Sequence, residues 1–430
     1  MPPLRPLLAA AALLSACASP TVRTSGARDM VACAPDNGGI TLPEGFCASV
    51  FADSLGPTRH IAVAPNGDVF IAIRTRPNPP SAGGIVALRD ANGDGRADAV
   101  VRFGSGTETG IGLRDGWLYA DVRTAIVRWR IPQGALEPTG APDTVVKELP
   151  TGGHGARNFV FDGGALIVNI GSQTNACQEQ DRQKGSKGVP DCPELRTRAG
   201  LWRFDADRVG QRFADGQRWA TGIRNAVALA RHPQTGAIYA VSHGRDNFFQ
   251  NWPELYDEEE SANLPSEELL LVKQGDDFGW PFCYHDPRRG RVLAPEYGGD
   301  GETAGRCANT TPNVGFFPAH WAPIALHFYT GSLFPARYRD GAFITFHGSW
   351  NRAPRPQAGY NLVFQPMANG RAAGNHEVFA DGFAGGNLQP RGATHRPAGL
   401  GEGPDGSLYV SDDARGRVWK VVYRGARTSN

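Results

Sequence analysis

One hairpin unit sets the pattern for the chain: Ile61-Ala-Val-Ala-Pro-Asn-Gly-Asp-Val-Phe-Ile-Ala72, in which two apolar runs flank a Pro-Asn-Gly-Asp turn. Asn-Gly or Asp-Gly between apolar runs predicts a β-hairpin, because glycine accepts the positive φ that such tight turns require. The same unit recurs along the chain, and its turn glycines are Gly67, Gly116, Gly163, Gly236, Gly341 and Gly406.

These six units, spaced by insertions, predict a six-bladed β-propeller around a central channel. The chain has 430 residues, of which 55 are Gly and 33 are Pro, a composition that suits a turn-rich all-β protein. Two long insertions, Gln173–Thr197 and Asp246–Asn313, would form loops on the propeller. We therefore expect an all-β fold in which residues 33–427 form the propeller, with loop insertions stapled by disulfides.

The first residues predict export rather than a part of the fold. An arginine and an apolar run precede Leu14-Ser15-Ala16-Cys17, which resembles a bacterial lipobox. We expect residues 1–16 to be a lipoprotein signal peptide, Cys17 to carry the lipid and residues 17–32 to be a tether; the alternative is a cleavage site with a chance cysteine. The lipid would be the sole membrane anchor and would place the protein at the outer membrane, facing the periplasm.

Six further cysteines fall into three local pairs. An even number of cysteines in an exported chain indicates disulfides, although the number alone permits many connectivities. Their positions favour Cys33–Cys47, Cys177–Cys192 and Cys283–Cys307. A metal site is the alternative, but the chain has no C-x-x-C spacing.

The charge balance bears on the class of partner. Lys and Arg number 44 against 43 Asp and Glu, which gives a net charge of +1. Nucleic acid is therefore not the expected partner, because phosphate binding requires a basic excess.

Arginine and histidine precede several of the predicted inner strands. The inner strands of a propeller line its channel, so polar residues just before them converge on one mouth. These residues are His60, Glu108, His154, Arg157, Arg224, Asn225, His320, Arg352, His395 and Arg396. A ring of guanidinium groups would bind a ligand that carries several carboxylates.

Seven motifs follow one another along the chain. They are Thr151-Gly-Gly-His154-Gly-Ala-Arg157-Asn158, Gly222-Ile-Arg224-Asn225, His243-Gly-Arg245-Asp246, Phe278-Gly-Trp-Pro281, Ala319-His320-Trp-Ala-Pro323, Phe346-His-Gly-Ser-Trp-Asn-Arg352, and Arg396-Pro with Pro404-Asp-Gly406. Together they resemble the glucose/sorbosone dehydrogenases, six-bladed propellers that use pyrroloquinoline quinone (PQQ) and Ca²⁺. The resemblance runs from about Leu42 to Tyr423, and two of the motifs resemble the sorbosone branch in particular.

The resemblance implies roles for individual residues. His154 matches the catalytic base, and Arg224 matches the residue that neutralises the developing negative oxygen. The backbone carbonyls of Gly244 and Arg245 match the ligands of the active-site calcium. The residues implied to bind the cofactor are Arg157, Asn225, His320, Arg352 and Arg396.

Three positions depart from the family pattern. Ser172 stands where the glucose branch has the carboxylate that orients the catalytic histidine, and Ala398 replaces a second arginine. Glu108-Thr109 stands where the family has Gln-Asn. These departures bear on sugar specificity and cofactor affinity more than on the fold.

A separate segment, 90–98, resembles an EF-hand-type calcium loop. Its oxygen-bearing residues are Asp90, Asn92, Asp94 and Asp98, with Gly95 at the turn. The bidentate glutamate is missing, because its position holds Val101. The segment is therefore interpreted either as a second, stabilising calcium site or as a plain acidic turn.

The expected function is PQQ- and calcium-dependent oxidation of a sugar. An aldose or a sorbosone-like sugar aldehyde would lose a proton to His154 and a hydride to PQQ, and would leave as a lactone or acid. The electrons would pass to an acceptor that the sequence does not identify. Two alternatives stay open: a calcium-dependent sugar lactonase, which would carry acidic residues at the blade starts, and a ligand-binding or non-catalytic propeller.

Overall fold

A computed structural model describes residues 31–425. The predicted signal peptide, the lipidated Cys17 and nearly all of the tether lie outside the described residues. No helix within 31–425 is long and apolar enough to cross a membrane.

Residues 31–425 contain 29 strands, most of which lie in six sheets that are antiparallel apart from one short parallel pair. The first strand and blade I are β1 (Phe46–Ala52), then β2 (Thr58–Val63), β3 (Val69–Pro77), β4 (Pro80–Arg89) and β5 (Ala99–Phe103). Blade II is β6 (Thr107–Arg114), β7 (Trp117–Val122), β8 (Ala125–Arg130) and β9 (Asp143–Lys147). Blade III is β10 (Phe159–Asp162), β11 (Ala165–Ile170), β12 (Gly200–Asp205) and, after the short β13 (Gln211–Arg212) that joins blade II, β14 (Gln217–Thr221).

The second half of the chain adds three blades and two small hairpins. Blade IV is β15 (Ala228–Arg231), β16 (Ile238–Ser242), β17 (Glu267–Val272) and, after the hairpin β18 (Cys283–Asp286) and β19 (Gly290–Leu293), β20 (Gly315–Phe317). Blade V is β21 (Pro323–Phe328), β22 (Ala342–Phe346), β23 (Asn361–Gln365) and, after the hairpin β24 (Met367–Ala368) and β25 (Arg371–Ala372), β26 (Glu377–Ala380). Blade VI is β27 (Pro397–Glu402), β28 (Leu408–Asp412) and β29 (Val418–Tyr423). The two α-helices are α1 (Phe248–Asn251) and α2 (Glu258–Asn263), and the 3₁₀ turns are Pro193–Arg196, Phe213–Asp215, Pro295–Tyr297, Gly305–Asn309 and Ala336–Tyr338.

The ring is closed by strand β1, which pairs antiparallel with β29 from Phe46↔Tyr423 to Val50↔Trp419. The first strand of the chain thus becomes the outer strand of the last blade. The inner strands β2, β6, β10, β15, β21 and β27 contact their neighbours around the channel. The predicted six-bladed propeller is therefore confirmed.

The middle strands of the blades are apolar on both faces, because each blade packs between two others. All six residues of β11, Ala165–Ile170, are buried, and so are all five of β22, Ala342–Phe346. Between blades I and II, Phe70 packs with Leu118 and Trp129. The hydrophobic core therefore consists of layers between adjacent blades.

Five of the six predicted hairpins connect an inner strand to the next strand through a glycine with positive φ, but the prediction was wrong for the fifth. In blade V residues 329–341 separate β21 from β22, and Asp340 rather than Gly341 takes the positive φ, 60°.

The predicted insertion Asp246–Asn313 was also wrong as a single loop, because it contains β17, the third strand of blade IV. The run Glu-Glu-Leu-Leu-Leu-Val of β17 has the composition of a strand, but it was not predicted as one because it lies far along the chain from the hairpin turn at Gly236. The three predicted disulfides, Cys33–Cys47, Cys177–Cys192 and Cys283–Cys307, are confirmed.

Hydroxyl groups join inner strands that belong to different blades. Ser411 of β28 accepts from the Gly399 amide of its own blade at 2.8 Å and donates to the Arg59 carbonyl of blade I at 2.6 Å. Gly399 has no room for a side chain, since a Cβ there would lie 2.2 Å from the Arg59 carbonyl oxygen. Thr345 of β22 makes the same bridge between β21, at 3.1 Å, and β27, at 2.7 Å. These bonds hold adjacent blades at a fixed spacing at the channel.

We predict that Ser411→Ala lowers the free energy of unfolding by about 1–3 kcal/mol, because a buried amide and a buried carbonyl both lose their partner. The midpoint of denaturant unfolding measures the change, with exposed Ser105→Ala as the control. Equal midpoints for the two variants would contradict the bridging role.

Candidate active site

One mouth of the channel collects residues from both strands of every inner hairpin. The first two strands of each blade are antiparallel, so the start of the first lies beside the end of the second. Ser172, Gly244 and Arg245, which the sequence pattern singled out, follow second strands. Other residues toward the ends of these strands are Arg74 within β3, Asp121 within β7, and His243, His347 and Asp413, which directly follow β16, β22 and β28. No single sequence signal finds all of them, because Asn169, Ser242 and Ser411 are polar residues that come earlier in their strands.

Bulges turn the starts of the inner strands toward the channel. In blade I the register between β2 and β3 shifts between Thr58 and Ile61, and similar shifts occur in blades II, V and VI. A bulge re-aims the side chains beside it. The His60 imidazole consequently reaches across to blade V, where Nε2 lies 2.7 Å from the Ile324 carbonyl oxygen.

His154 is held in one tautomer by the residue that replaces the family carboxylate. Its Nδ1 lies 3.0 Å from both the carbonyl oxygen and Oγ of Ser172. A carbonyl oxygen can only accept, so Nδ1 carries the hydrogen and Nε2 keeps its lone pair. Burial, followed by the charge of Arg224, lowers the pKa of His154 to about 3. The imidazole is therefore neutral at physiological pH and presents a basic nitrogen.

Arg224 is buried and fixed by four hydrogen bonds. Nε donates to the Asn175 carbonyl at 3.2 Å, and Nη2 donates to Asn175 Oδ1 and Asp246 Oδ2, both at 3.0 Å. Nη1 donates to the Gly244 carbonyl at 2.8 Å. A guanidinium has five N–H donors, so one N–H of Nη1 stays available.

The Asp246 carboxylate joins the insertion of blade III and the loops of blades IV and V. Besides Arg224, it accepts from Arg182 at 2.9 Å and from Asn351 at 2.7 Å, and His320 Nδ1 lies 3.7 Å away. Burial alone would raise the pKa of Asp246, but Arg224, His320 and Arg182 outweigh burial and hold it well below its usual range. Asp246 is thus an anion that positions three cationic or imidazole groups. It stands in one of the seven motifs, but no role was predicted for it.

A second carboxylate, Asp413, organises the opposite side of the mouth. Its Oδ1 lies 2.6 Å from His347 Nε2, and its Oδ2 accepts from Arg59 Nη1 at 2.9 Å. Arg396 donates from Nε to the His347 carbonyl at 2.9 Å and from Nη2 to the Gly348 carbonyl at 3.1 Å. Burial and then Arg396 lower the pKa of His347 to about 4, against the opposing effect of Asp413.

His243 connects the two sides of the mouth. Its Nδ1 lies 3.3 Å from the Asn225 carbonyl oxygen. Burial lowers the pKa of His243 to about 4, and both Arg224 and His347 contribute to the lowering. Hydrogen bonds link these residues in two groups: His154 bonds to Ser172, whose amide donates to the Arg224 carbonyl at 2.8 Å, and Arg396 donates to the His347 carbonyl. Together with His243 they are called the mouth cluster.

Two of the residues predicted to bind the cofactor, Arg157 and Arg352, use their guanidinium groups to bind backbone carbonyls. Arg157 donates to the Arg123 carbonyl at 2.7 Å and to the Pro150 carbonyl. Arg352 donates to the Ala319 carbonyl at 3.0 Å. The structure thus does not join the Arg352 side chain to the cluster through a hydrogen bond.

The carbonyl groups predicted to bind the active-site calcium are both backbone oxygens beside the cluster. The Gly244 carbonyl already accepts from Arg224, which leaves one lone pair, and the Arg245 carbonyl accepts no hydrogen bond from residues 31–425. The Arg245 side chain forms an ion pair with Glu296, so the group that Arg245 offers to a cation is its backbone carbonyl. Two such oxygens fit a hard cation.

The 90–98 loop satisfies its carboxylates with its own backbone. Asp90 accepts from the amides of Gly93 at 2.7 Å and Gly95 at 2.9 Å, and Asp98 accepts from Ala91 at 2.7 Å. Asp90, Asp94 and Asp98 do not bring three ligand atoms within 4.8 Å of one another, so calcium at this loop stays a prediction. The group that does meet this spacing in the described part is Cys177, Cys192 and Glu194, whose cysteines are disulfide-bonded.

The chain resembles known proteins in both sequence and fold. A family model described as TrAA12-like matches residues 40–424. The chain is 26% identical over 280 residues to a pyrroloquinoline quinone-dependent pyranose dehydrogenase of Coprinopsis cinerea, over 55% of this chain and 36% of that protein. It is 26% identical over 288 residues to the aldose sugar dehydrogenase YliI of Escherichia coli strain K12, over 65% of this chain and 64% of that protein. The chain thus spans less than two thirds of the length of these curated relatives.

Two solved structures share the fold over almost their whole length. The holo form of the PQQ domain of Coprinopsis cinerea pyranose dehydrogenase has a TM-score of 0.70 at 21% identity, over 89% of this chain and 97% of that one. A calcium structure of the Trichoderma reesei carbohydrate-active enzyme of family AA12 has a TM-score of 0.70 at 19% identity, over 90% and 97%.

The buried mouth histidines predict that the protein loses stability as the pH falls. Burial lowers the pKa of His154 to about 3, and it lowers to about 4 the pKa values of His60, His243 and His347. Below pH 6.5 the unfolded chain therefore binds protons that the folded protein does not. Burial has the opposite effect on two acids, raising the pKa of Asp121 to about 6 and that of Glu267 to about 7, so about two of the four protons remain uncompensated.

We therefore expect the free energy of unfolding to fall by about 3 kcal/mol per pH unit between pH 6 and pH 5. His154→Gln should reduce this slope by about 1.4 kcal/mol per pH unit. Denaturant unfolding at several pH values measures both, and a stability that is constant or rises toward pH 5 would contradict the neutral, buried state of these imidazoles.

Proposed function

We propose, since the chain belongs to the TrAA12-like family of PQQ-dependent sugar dehydrogenases, that it oxidises a sugar with PQQ and Ca²⁺ bound at the channel mouth. The observation that carries this proposal is that His154, oriented by Ser172 with Nε2 unprotonated, lies at the same mouth as Arg224, which four hydrogen bonds hold in place. Fixed guanidinium groups beside neutral imidazoles suit the removal of a proton and the stabilisation of a negative oxygen. They favour this activity over a lactonase, for which acidic residues at the blade starts were expected.

The donors of the mouth fit a quinone that carries three carboxylates. Arg396 Nη1 and Arg59 Nη2 donate no hydrogen bond within residues 31–425, while the other nitrogens of both groups are anchored. Anchored guanidinium groups with a free N–H are suited to bind carboxylates. Arg396 and Arg59 would therefore hold the carboxylates of PQQ, and Asn225 would contribute an amide. Arg59 was absent from the sequence prediction.

The carbonyl oxygens of Gly244 and Arg245 would hold the calcium ion. Oxygen ligands suit Ca²⁺, and a bound cation would add positive charge beside Arg224. When bound, PQQ supplies the electrophilic carbon that accepts a hydride.

The residues of the chain then handle the proton and the charge. His154 Nε2 accepts the hydroxyl proton of the sugar, while Nδ1–H stays bonded to Ser172 and keeps the ring oriented. The free N–H of Arg224 Nη1 donates to the oxygen on which negative charge develops. Four anchoring bonds keep this guanidinium in place, so little reorganisation is needed when the charge appears.

The finer identity of the substrate is part of the same proposal. We favour an aldose or a sorbosone-like sugar aldehyde, oxidised to a lactone or acid. The lipobox supports an exported lipoprotein at the outer membrane facing the periplasm, and three disulfides suit an oxidising compartment. The lipid at Cys17 would be the membrane anchor, and a separate acceptor would take the electrons.

The proposal predicts dye reduction that requires both additions. The full chain is incubated with PQQ and Ca²⁺ against a panel of aldoses and sorbosone, and reduction of an artificial electron acceptor is followed. His154→Gln should lower kcat by about 100-fold or more, because general base catalysis is lost. His327→Gln, the same change at a half-buried histidine bonded to Glu402, is the matched control and should retain activity. Turnover without PQQ, or turnover unaffected by His154→Gln, would contradict the proposal.

Ser172→Asp should restore the carboxylate that the family pattern places beside the histidine. An anion next to Nδ1–H favours the imidazolium and raises the pKa of His154, by about one unit or more. The acid limb of the kcat/KM profile should move to higher pH by the same amount, and Ser172→Ala should leave it in place, since the carbonyl bond to Nδ1 remains. An unchanged acid limb in Ser172→Asp would show that His154 is not the group that titrates.

A further inference from the structure

A groove of about 810 Å³ lies outside the mouth, between the edge strand β20 of blade IV and the β24–β25 hairpin of blade V. Along the chain, residues that line the groove flank a residue that belongs to the mouth. Ala319 and Trp321 line the groove, whereas His320 between them points to Asp246 in the mouth. Its volume falls in the range of small-molecule and oligomer binding sites.

The groove lining carries positive charge and no carboxylate. Its charged side chains are Arg352 and Arg371, and no Asp or Glu lines it; burial lowers the pKa of His376, so this ring adds no charge at neutral pH. Glu259, the carboxylate that acts on Arg352, is engaged by Arg355. Charge complementarity therefore selects an anionic occupant.

Two donors that border the groove lack an acceptor. Trp321 Nε1 and Arg352 Nε are buried from solvent and form no hydrogen bond with any described residue. Buried donors in folded proteins nearly always have a partner. Both atoms have almost no surface open to solvent, so an occupant of the groove would reach Arg352 through its terminal nitrogens and Trp321 only through its ring.

Aromatic and amide groups supply the rest of the lining. Phe316 of β20 is 45% exposed, and the Trp321 and His376 rings lie 5.9 Å apart. The C–H face of a pyranose packs on such rings, and the amide of Asn375 suits its hydroxyl groups, while the Asn313 amide nitrogen already donates to Glu268 at 3.1 Å. A small inorganic anion would use neither the aromatic surface nor the volume.

We propose that this groove binds an acidic oligosaccharide, a chain of sugars that carry carboxylates. The carboxylates accept from Arg352 and Arg371, and a sugar ring packs on Phe316. Arg352, which the sequence prediction assigned to the cofactor, belongs to this groove. Binding here is independent of the proposed dehydrogenase activity, because it requires neither PQQ nor Ca²⁺.

Titration calorimetry of the full chain without PQQ tests the proposal with three probes of equal length: trigalacturonate, maltotriose and triglutamate. Trigalacturonate should bind, and its affinity should fall as salt is added. Maltotriose and triglutamate should each bind at least tenfold more weakly. If maltotriose bound as tightly as trigalacturonate, charge would not determine binding. If triglutamate bound as tightly, the occupant would not need to be a sugar. If trigalacturonate did not bind, the proposed oligosaccharide site would be wrong.

Variants locate the binding. Phe316→Ala and Arg371→Gln should each weaken trigalacturonate at least fivefold, whereas Trp321→Phe, which keeps a ring and removes only the enclosed N–H, should bind within twofold of the unaltered chain. The exposed Leu388→Ala and Arg339→Gln are the matched controls and should bind as the unaltered chain does. Thermal unfolding checks that Trp321→Phe is folded, and unchanged affinity in Phe316→Ala and Arg371→Gln would overturn the assignment whatever Trp321→Phe shows.

Discussion

The pairing of β1 with β29 is the constraint on which the structure depends, because it converts a row of hairpins into a closed ring. Closure sets the distance between inner strands, and the hydroxyl bridges of Ser411 and Thr345 hold adjacent blades at that distance. The chemistry of the mouth follows from this, since His154, Arg224, His347 and Arg396 come from four different blades. Without closure these residues would share no surface.

Two buried carboxylates offset the energetic cost of burying positively charged arginine side chains at the mouth. Asp246 neutralises Arg224 and Arg182, and Asp413 neutralises Arg59. The imidazoles between them are kept neutral by burial and by the neighbouring guanidinium groups, which lowers the pKa of His154, His243 and His347. The result is a set of basic nitrogens and fixed positive charges that is assembled before a ligand arrives, which reduces the reorganisation needed during a reaction.

The sequence predicted most of the fold because its signals are local. Glycine turns between apolar runs marked the blades, and short separations marked the disulfides. The strand β17 was missed because it lies far from a glycine turn, and the long connection in blade V was missed because Gly341 marks the end of that connection rather than a tight turn between two strands. In the site, His154 and Arg224 were found through motifs that resemble a known family. Arg59, His347 and Asp413 could not be predicted, because their roles depend on contacts between residues that lie far apart in the sequence, such as the ion pair of Arg59 with Asp413. The direction of the Arg352 side chain depends on the fold of its loop.

A crystal structure of the full chain grown with PQQ and Ca²⁺ tests the central claim most directly. The account predicts the quinone in the mouth, with its carboxylates on Arg396 and Arg59, the cation on the carbonyl oxygens of Gly244 and Arg245, and His154 Nε2 facing an open space for the sugar. A quinone bound elsewhere, or a mouth in which these residues keep only their present contacts at saturating PQQ, would contradict it.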